Sequence, residues 1–317
     1  LEIILEISPI ASPDLLIPTT DELLQQCPQF RILLIGKTGV GKTSLIYRTF
    51  GVEEARPEHD KRGKANIEKP MVSKRNQRFI LHDSEGFEPG ENNNIELAKS
   101  FIKRRRTHED VKEQLHAIWL SFQIPLQTYG QRMLETGMED FLRDKKNILG
   151  DIPTVFVFTK YDKLCDEIEN RWVEEGREYD ESDVDEEAEQ YLKKNCMERI
   201  ERLTGEYNIP WLAVSTKARY QSKLKDLVQL TYQKVAEHFV QQQGTGPLAV
   251  TTVTGMAQRI DASLHIATSI TIGARRYWEA VSIGNVFWGQ KNKDCLQVIH
   301  TDIVKVWNLC DPSEVRY

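Results

Sequence analysis

Short apolar runs recur along the chain, with helix-length stretches of mixed polarity between them. Phe30–Ile35 (FRILLI), Arg78–His82 (RFILH), Ala117–Phe122 (AIWLSF), Thr154–Phe158 (TVFVF) and Trp211–Val214 (WLAV) read as strands. Their apolar positions are continuous rather than alternating, as in strands covered on both faces. The pattern therefore predicts an α/β fold, with a mostly parallel sheet between two helical layers. Met71–Arg75 and Arg78–His82, with Asn76 between them, predict an antiparallel hairpin at one edge.

The pattern changes at both ends. Residues 1–29 mix apolar patches with Pro9, Pro13, Pro18 and Pro28 and read as an extended arm. Gln241–Pro247 (QQQGTGP) reads as a linker. Beyond it, a stripe of Ile266, Ile270, Tyr277, Trp278 and Val281 predicts one helical segment over roughly 249–281. A second runs from Asp294, an N-cap, through Ile299, Ile303, Val306, Trp307 and Cys310 to Pro312. The chain thus divides into an arm (1–29), a main domain (30–243) and a C-terminal α-helical module (247–317), whose Trp and Ile stripes read as packed core.

Composition adds limits. With 317 residues, 40% hydrophobic and 28% charged, the chain can bury a sizeable core. The formal charge is −6, but residues 166–189 hold 13 Asp and Glu against two Arg, so the rest carries +5. That acidic stretch reads as a surface loop inserted in the main domain, and nucleic-acid binding is not indicated. Lys103–Arg106 (KRRR) reads as a solvated helix face. Five scattered cysteines without a CxxC pair suggest neither a zinc site nor a disulfide framework, which points to the cytoplasm. LEIILEI (1–7) is too short and acidic for a signal sequence, and no apolar run is long enough to predict a transmembrane segment. Because the chain opens on Leu1 and not Met, further residues are expected ahead of it.

Chemistry concentrates at the strand ends. GKTGVGKTS, comprising Gly36, Lys37, Thr38, Gly39, Val40, Gly41, Lys42, Thr43 and Ser44, matches the P-loop pattern between a strand and a helix. The glycines let backbone N–H groups crowd phosphate oxygens, and the helix N-terminus adds its dipole. Lys42 offers a point charge to the β- and γ-phosphates, and Thr43 a hydroxyl to Mg²⁺. HDSEG (82–86) has the form D-x-x-G, in which Asp83 can hold Mg²⁺ through water and the Gly86 amide can reach the γ-phosphate. TKYD, with Thr159, Lys160 and Asp162, places a carboxylate where guanine's two adjacent donors can meet it. Adenine lacks that pair, so Asp162 could discriminate by roughly a few kcal/mol. Lys160 can lay its stem along the base. STK, with Ser215, Thr216 and Lys217, offers amides to the guanine O6.

These four motifs, in this order and each at a strand end, resemble a GTPase G domain of the translation-factor-related (TRAFAC) class of P-loop proteins over about residues 30–240. The resemblance implies a three-layer P-loop NTPase G domain that binds GTP/GDP and Mg²⁺ and hydrolyses GTP as a switch, with Lys42, Thr43 and Gly86 carrying the reaction. LHDSEGFEPGE (81–91), HAIWLSF (116–122) and VFVFTKYDKL (155–164) are similar to a group of fungal G-domain proteins. That resemblance assigns SITIGARRYW (269–278) and IHTDIVKVWN (299–308) to the same group.

Two departures bear on mechanism. The family's first switch loop carries a Thr that binds Mg²⁺ and γ-phosphate, yet no Thr lies between Thr49 and Thr107. Ser73, the nearest hydroxyl, falls in the edge hairpin. The loop (about 51–67) is expected to use backbone groups or to close on a partner. Where Ras-like relatives carry a water-positioning Gln after DxxG, this chain has Phe87. Intrinsic hydrolysis should therefore be slow, with Lys37, His59, a second copy of the chain or an activating protein as sources of the missing group. The alternatives are a nucleotide-stabilised interaction protein that barely hydrolyses GTP and, third, an ATP-dependent kinase or ATPase.

Overall fold

In the computed structural model, Phe30–Gly36 forms strand β1, buried along its whole length. Ile32 and Leu34 face one side of the sheet, Leu33 and Ile35 the other. Both faces must be covered for such a strand to leave water. The structure describes residues 30–55, 65–73, 76–87, 92–110, 113–126 and 132–243, with Lys293 and Gln297. The arm, most of the first switch loop and nearly all of the C-terminal module lie outside the described residues.

Five strands join β1: β2 (Met71–Ser73), β3 (Asn76–Asp83), β4 (Ala117–Gln123), β5 (Thr154–Thr159) and β6 (Trp211–Ala213). Their order is β2-β3-β1-β4-β5-β6. All neighbours are parallel except β2 with β3, the expected antiparallel edge. Asn76 opens β3, pairing with Ser73, rather than standing between the two strands. Leu34 pairs with Asp83, Gly36 with Ser121 and Gln123 with Thr159. These registers bring the motif-bearing strand ends to one edge of the sheet, where ligands of parallel α/β folds bind.

Helices α1 (Lys42–Phe50) and α8 (Gln221–Gln243) cover the face carrying Ile32, Leu34 and Trp119. Trp119 donates its indole N–H to Thr231 at 3.0 Å, tying β4 to α8. The other face is covered by α2 (Asn92–Arg106), α3 (Thr136–Arg143), α4 (Lys145–Leu149), α5 (Tyr161–Glu174), α6 (Glu181–Leu192) and α7 (Glu198–Thr204). The result is the α/β fold of the expected kind, a mostly parallel six-stranded sheet between two helical layers.

The acidic stretch 166–189 differs from expectation. It is not a loop: α5 and α6 form a helical hairpin across it. Leu164, Ile168 and Trp172 recur every fourth residue on α5, and Val184, Ala188 and Leu192 do so on α6. All six are buried in the core. Asp180 caps α6 by accepting from the Ser182 and Asp183 amides, which lowers its pKa. A single apolar stripe suffices to fold such a helix onto a core, however acidic its outer face.

Candidate functional site

The loop between β1 and α1 turns on two left-handed glycines, Gly39 (φ 76°) and Gly41 (φ 100°), a conformation that disfavours a Cβ. Gly36 is required for a different reason, since a Cβ there would strike the Ser121 carbonyl of β4. Val40 is buried, and its carbonyl accepts from the Thr159 hydroxyl at 2.6 Å, linking this loop to the end of β5. Lys42, 6% exposed, curls over the loop and donates to the carbonyls of Gly36 (2.9 Å) and Lys37 (3.2 Å). Ser44, one residue into α1 from Thr43, is half-buried.

At the start of α1, the Thr43 hydroxyl donates to Oδ2 of Asp83 at 2.7 Å. The other carboxylate oxygen, Oδ1, is buried without a hydrogen-bond partner. Burial raises the Asp83 pKa, against the opposing pull of Lys42 and the Thr43 hydrogen bond. An unsatisfied buried carboxylate oxygen beside a hydroxyl fits a hard, oxygen-seeking cation that keeps much of its water. Among the described residues, no group of three or more His, Cys, Asp or Glu side chains is placed to hold a metal. Any Mg²⁺ here would draw its remaining ligands from water and substrate.

On the β5–β6 side, Lys160 adopts a left-handed conformation (φ 64°) as the N-cap of α5. Its ammonium donates to Oε1 of Gln123 at 2.6 Å, and burial lowers its pKa. The Ser215 hydroxyl donates to the Asp162 carboxylate at 2.6 Å and accepts from the Lys217 amide at 3.1 Å. The Tyr161 amide donates to the Val214 carbonyl, so TKYD and STK form one hydrogen-bonded unit. Thr216 lies half-buried between Ser215 and the exposed Lys217.

Gly86 sits against the P-loop so closely that a Cβ would fall 2.6 Å from the Thr38 Cα and nearer still to its amide N and Oγ1. Phe87, next in sequence, is 2% exposed and packs on Phe141 at 5.8 Å between ring centres. The residue that follows the D-x-x-G motif is thus a core residue. Lys37 forms an ion pair with Glu135, which precedes α3, at 2.7 Å. A cavity of about 190 Å³ lies beside this pair, lined among others by Thr38, Phe87, Gln123 and Met138, but not by Lys42, Asp83 or Asp162. His59 lies outside the described residues.

A buried polar network behind Asp83 escaped the sequence reading. His82 is fully buried; its Nδ1 donates to the Ile67 carbonyl at 2.7 Å, leaving Nε2 to accept from Arg31 at 3.2 Å. Arg31 also binds Glu113 at 2.6 Å, which Arg105 engages as well. Burial holds the His82 pKa down at about 4. The network ties the segment around Ile67 to β3. Nothing in sequence marks it, because its contacts join residues between 8 and 82 positions apart. The same holds for Gln123 and Glu135.

Cys165 and Cys196 are buried free thiols. No helix among the described residues is long and apolar enough to cross a membrane. No family model matches the chain, and no curated protein matches it. Among solved structures, a mutant form of S. thermophilus NFeoB bound to GDP·AlF4⁻ is similar, at 14% identity over 87% of this chain and 90% of that one, with a TM-score of 0.35.

Proposed function

We propose that the chain binds GTP and GDP through its P-loop and the TKYD and STK loops, and hydrolyses GTP slowly with Mg²⁺ as a cytoplasmic switch. The observation that carries the reading is the convergence at one sheet edge of Lys42, the Thr43–Asp83 pair and the Asp162–Ser215 pair. The first two suit a polyphosphate with its cation, the last a base edge with two adjacent donors. Asp162 chooses guanine, and the Lys160 stem supports the base plane.

In this reading, Lys42 exchanges its two carbonyl partners for β- and γ-phosphate oxygens, because an anionic oxygen attracts the ammonium more strongly than a neutral carbonyl does. The amides of Gly39 to Ser44 line the phosphates, and the α1 N-terminus adds its dipole. Thr43 and Asp83 would hold Mg²⁺, which would supply charge neutralisation of the phosphates when bound. The Gly86 amide senses the γ-phosphate from its place against Thr38. Water attacks the γ-phosphorus, the bond to the β–γ bridging oxygen breaks, and GDP leaves with that oxygen while phosphate departs separately. Catalysis rests on positioning and charge, since Phe87 is buried and orients no water. A second copy of the chain or an activating protein supplies the water-positioning group, and an effector reads the bound state.

A second reading, a nucleotide-stabilised interaction protein with little hydrolysis, is favoured by buried Phe87 and by Glu135 holding Lys37 away as an ion pair. Single-turnover GTP hydrolysis with Lys42→Ala as control separates the two. The enzyme reading expects phosphate release from wild type well above the variant. Equal release, with nucleotide binding in wild type alone, favours the second. ATP competing as well as GTP overturns both. The resemblance to fungal G-domain proteins stands on the sequence stretches that carry it.

A further inference from the structure

The residue between Lys160 and Asp162 connects the base-binding loops to the acidic hairpin. Tyr161 is 3% exposed, so its hydroxyl needs a protein partner. It donates to Oδ1 of Asp185, on α6, at 2.5 Å. Lys223, on α8, lies 3.6 Å from the same oxygen and 4.4 Å from the centre of the Tyr161 ring. Tyr220 meets that ring edge-on, at 5.6 Å and 90°. Its amide donates to the Lys217 carbonyl, placing it in the turn that closes STK. Arg219 of this turn reaches Glu181 at 3.1 Å and Glu169 at 3.5 Å, one on each arm of the hairpin. TKYD and STK are therefore fastened to the same hairpin by adjacent contacts.

Such fastening matters because Lys160 holds a positive φ, a backbone conformation strained for a non-glycine residue unless its surroundings fix it. Tyr161 follows directly and is held by its amide to Val214 and by its hydroxyl to Asp185. Released at either point, the first turn of α5 is freer to rotate, and the Asp162 carboxylate moves with it.

We propose that Asp185 is a positioning residue for guanine recognition, holding Tyr161, and through it Lys160 and Asp162, in the geometry that receives the base. The inference rests on the guanine reading given above. The acidic hairpin then sharpens the specificity of the domain. The Asp185 side chain is half exposed, so its replacement opens no cavity and takes from the core only the partner of the Tyr161 hydroxyl.

The test compares GDP, IDP and ADP binding to the full chain by calorimetry, for wild type, Asp185→Ala, Asp185→Asn and Tyr161→Phe. IDP lacks the 2-amino donor that pairs with Asp162, so the GDP-to-IDP affinity ratio reads carboxylate alignment, whereas a merely structural fastening moves only the melting temperature. The expected result is an about tenfold smaller ratio in Asp185→Ala and Tyr161→Phe. Asp185→Asn, which keeps an acceptor for the tyrosine, should retain most of it. A wild-type ratio in both Asp185→Ala and Tyr161→Phe, whatever their melting temperatures, overturns the proposal. A wild type that binds GDP no better than ADP overturns the guanine reading itself, and the proposal with it.

Discussion

The Thr43 hydroxyl lies 2.7 Å from Oδ2 of Asp83, joining the first turn of α1 to the last residue of β3 across 40 positions of sequence. The contact makes one polar unit of two motifs that are separate in the chain, and it leaves Oδ1 of Asp83 buried and unpaired. Asp83→Asn keeps the volume and removes the charge a cation needs. Its binding of a non-hydrolysable GTP analogue should lose about tenfold or more of the strengthening that Mg²⁺ gives wild type. Titrations with Mg²⁺ and with EDTA measure this directly. Equal Mg²⁺ dependence in the two proteins would remove Asp83 from the metal site.

Gly86→Ala should be poorly tolerated, because the added methyl meets the Thr38 backbone as well as its side chain. A destabilisation of about 1–3 kcal/mol is expected from urea unfolding. Thr38→Gly in the same chain should recover only part of it, since the amide N and Cα of residue 38 remain in the way. Full recovery would show that the Thr38 side chain alone sets the contact.

Stability should fall with pH below neutrality through His82. Its unfolded-state pKa of 6.5 exceeds the folded value of about 4, so below 6.5 the unfolded chain binds a proton that the folded chain refuses. The stabilisation is complete above pH 6.5 and is lost as pH falls toward 4, by about 3 kcal/mol in all. Beyond burial, the charges of Arg31 and Arg105 oppose its protonation, whereas the Ile67 hydrogen bond and the charge of Glu68 favour it. Urea unfolding between pH 7 and pH 4.5 should give a steeper slope for wild type than for His82→Gln.

The buried thiols should resist alkylation. Burial pushes Cys196 up to about 12 and raises Cys165 above its ordinary value, so at pH 8 neither holds much thiolate. Iodoacetamide labelling of the native protein, followed by peptide mass mapping, should leave both unmodified; denaturation should expose them. The sign for stability is opposite to that of His82. Above about pH 9 the unfolded chain releases these protons first, so stability declines as pH rises. Rapid native labelling of Cys196 would contradict its burial.

The parts that local pattern encodes were legible in the sequence. Apolar runs such as AIWLSF announced strands buried on both faces, because a strand with no polar face can go nowhere else. The glycines of GKTGVGKTS announced a loop of N–H groups, because Gly39 and Gly41 need left-handed backbone. Charge density misled. Thirteen acidic residues suggested a loop, while three apolar positions on each helix were enough to fold the hairpin.

Taken alone, the sequence determined the order of strands and helices, the loop bearing Lys42 and Thr43, and the motif residues at each strand end. These depend on neighbours within a few positions, where backbone sterics and hydrophobic period act. Only the tertiary structure decided what those residues face: Thr43 and Asp83 together, Lys37 held by Glu135, Lys160 by Gln123, and Tyr161 by Asp185. Each partner lies between 24 and 98 residues away. Contacts at that separation are set by sheet register and helix packing, which no local pattern records.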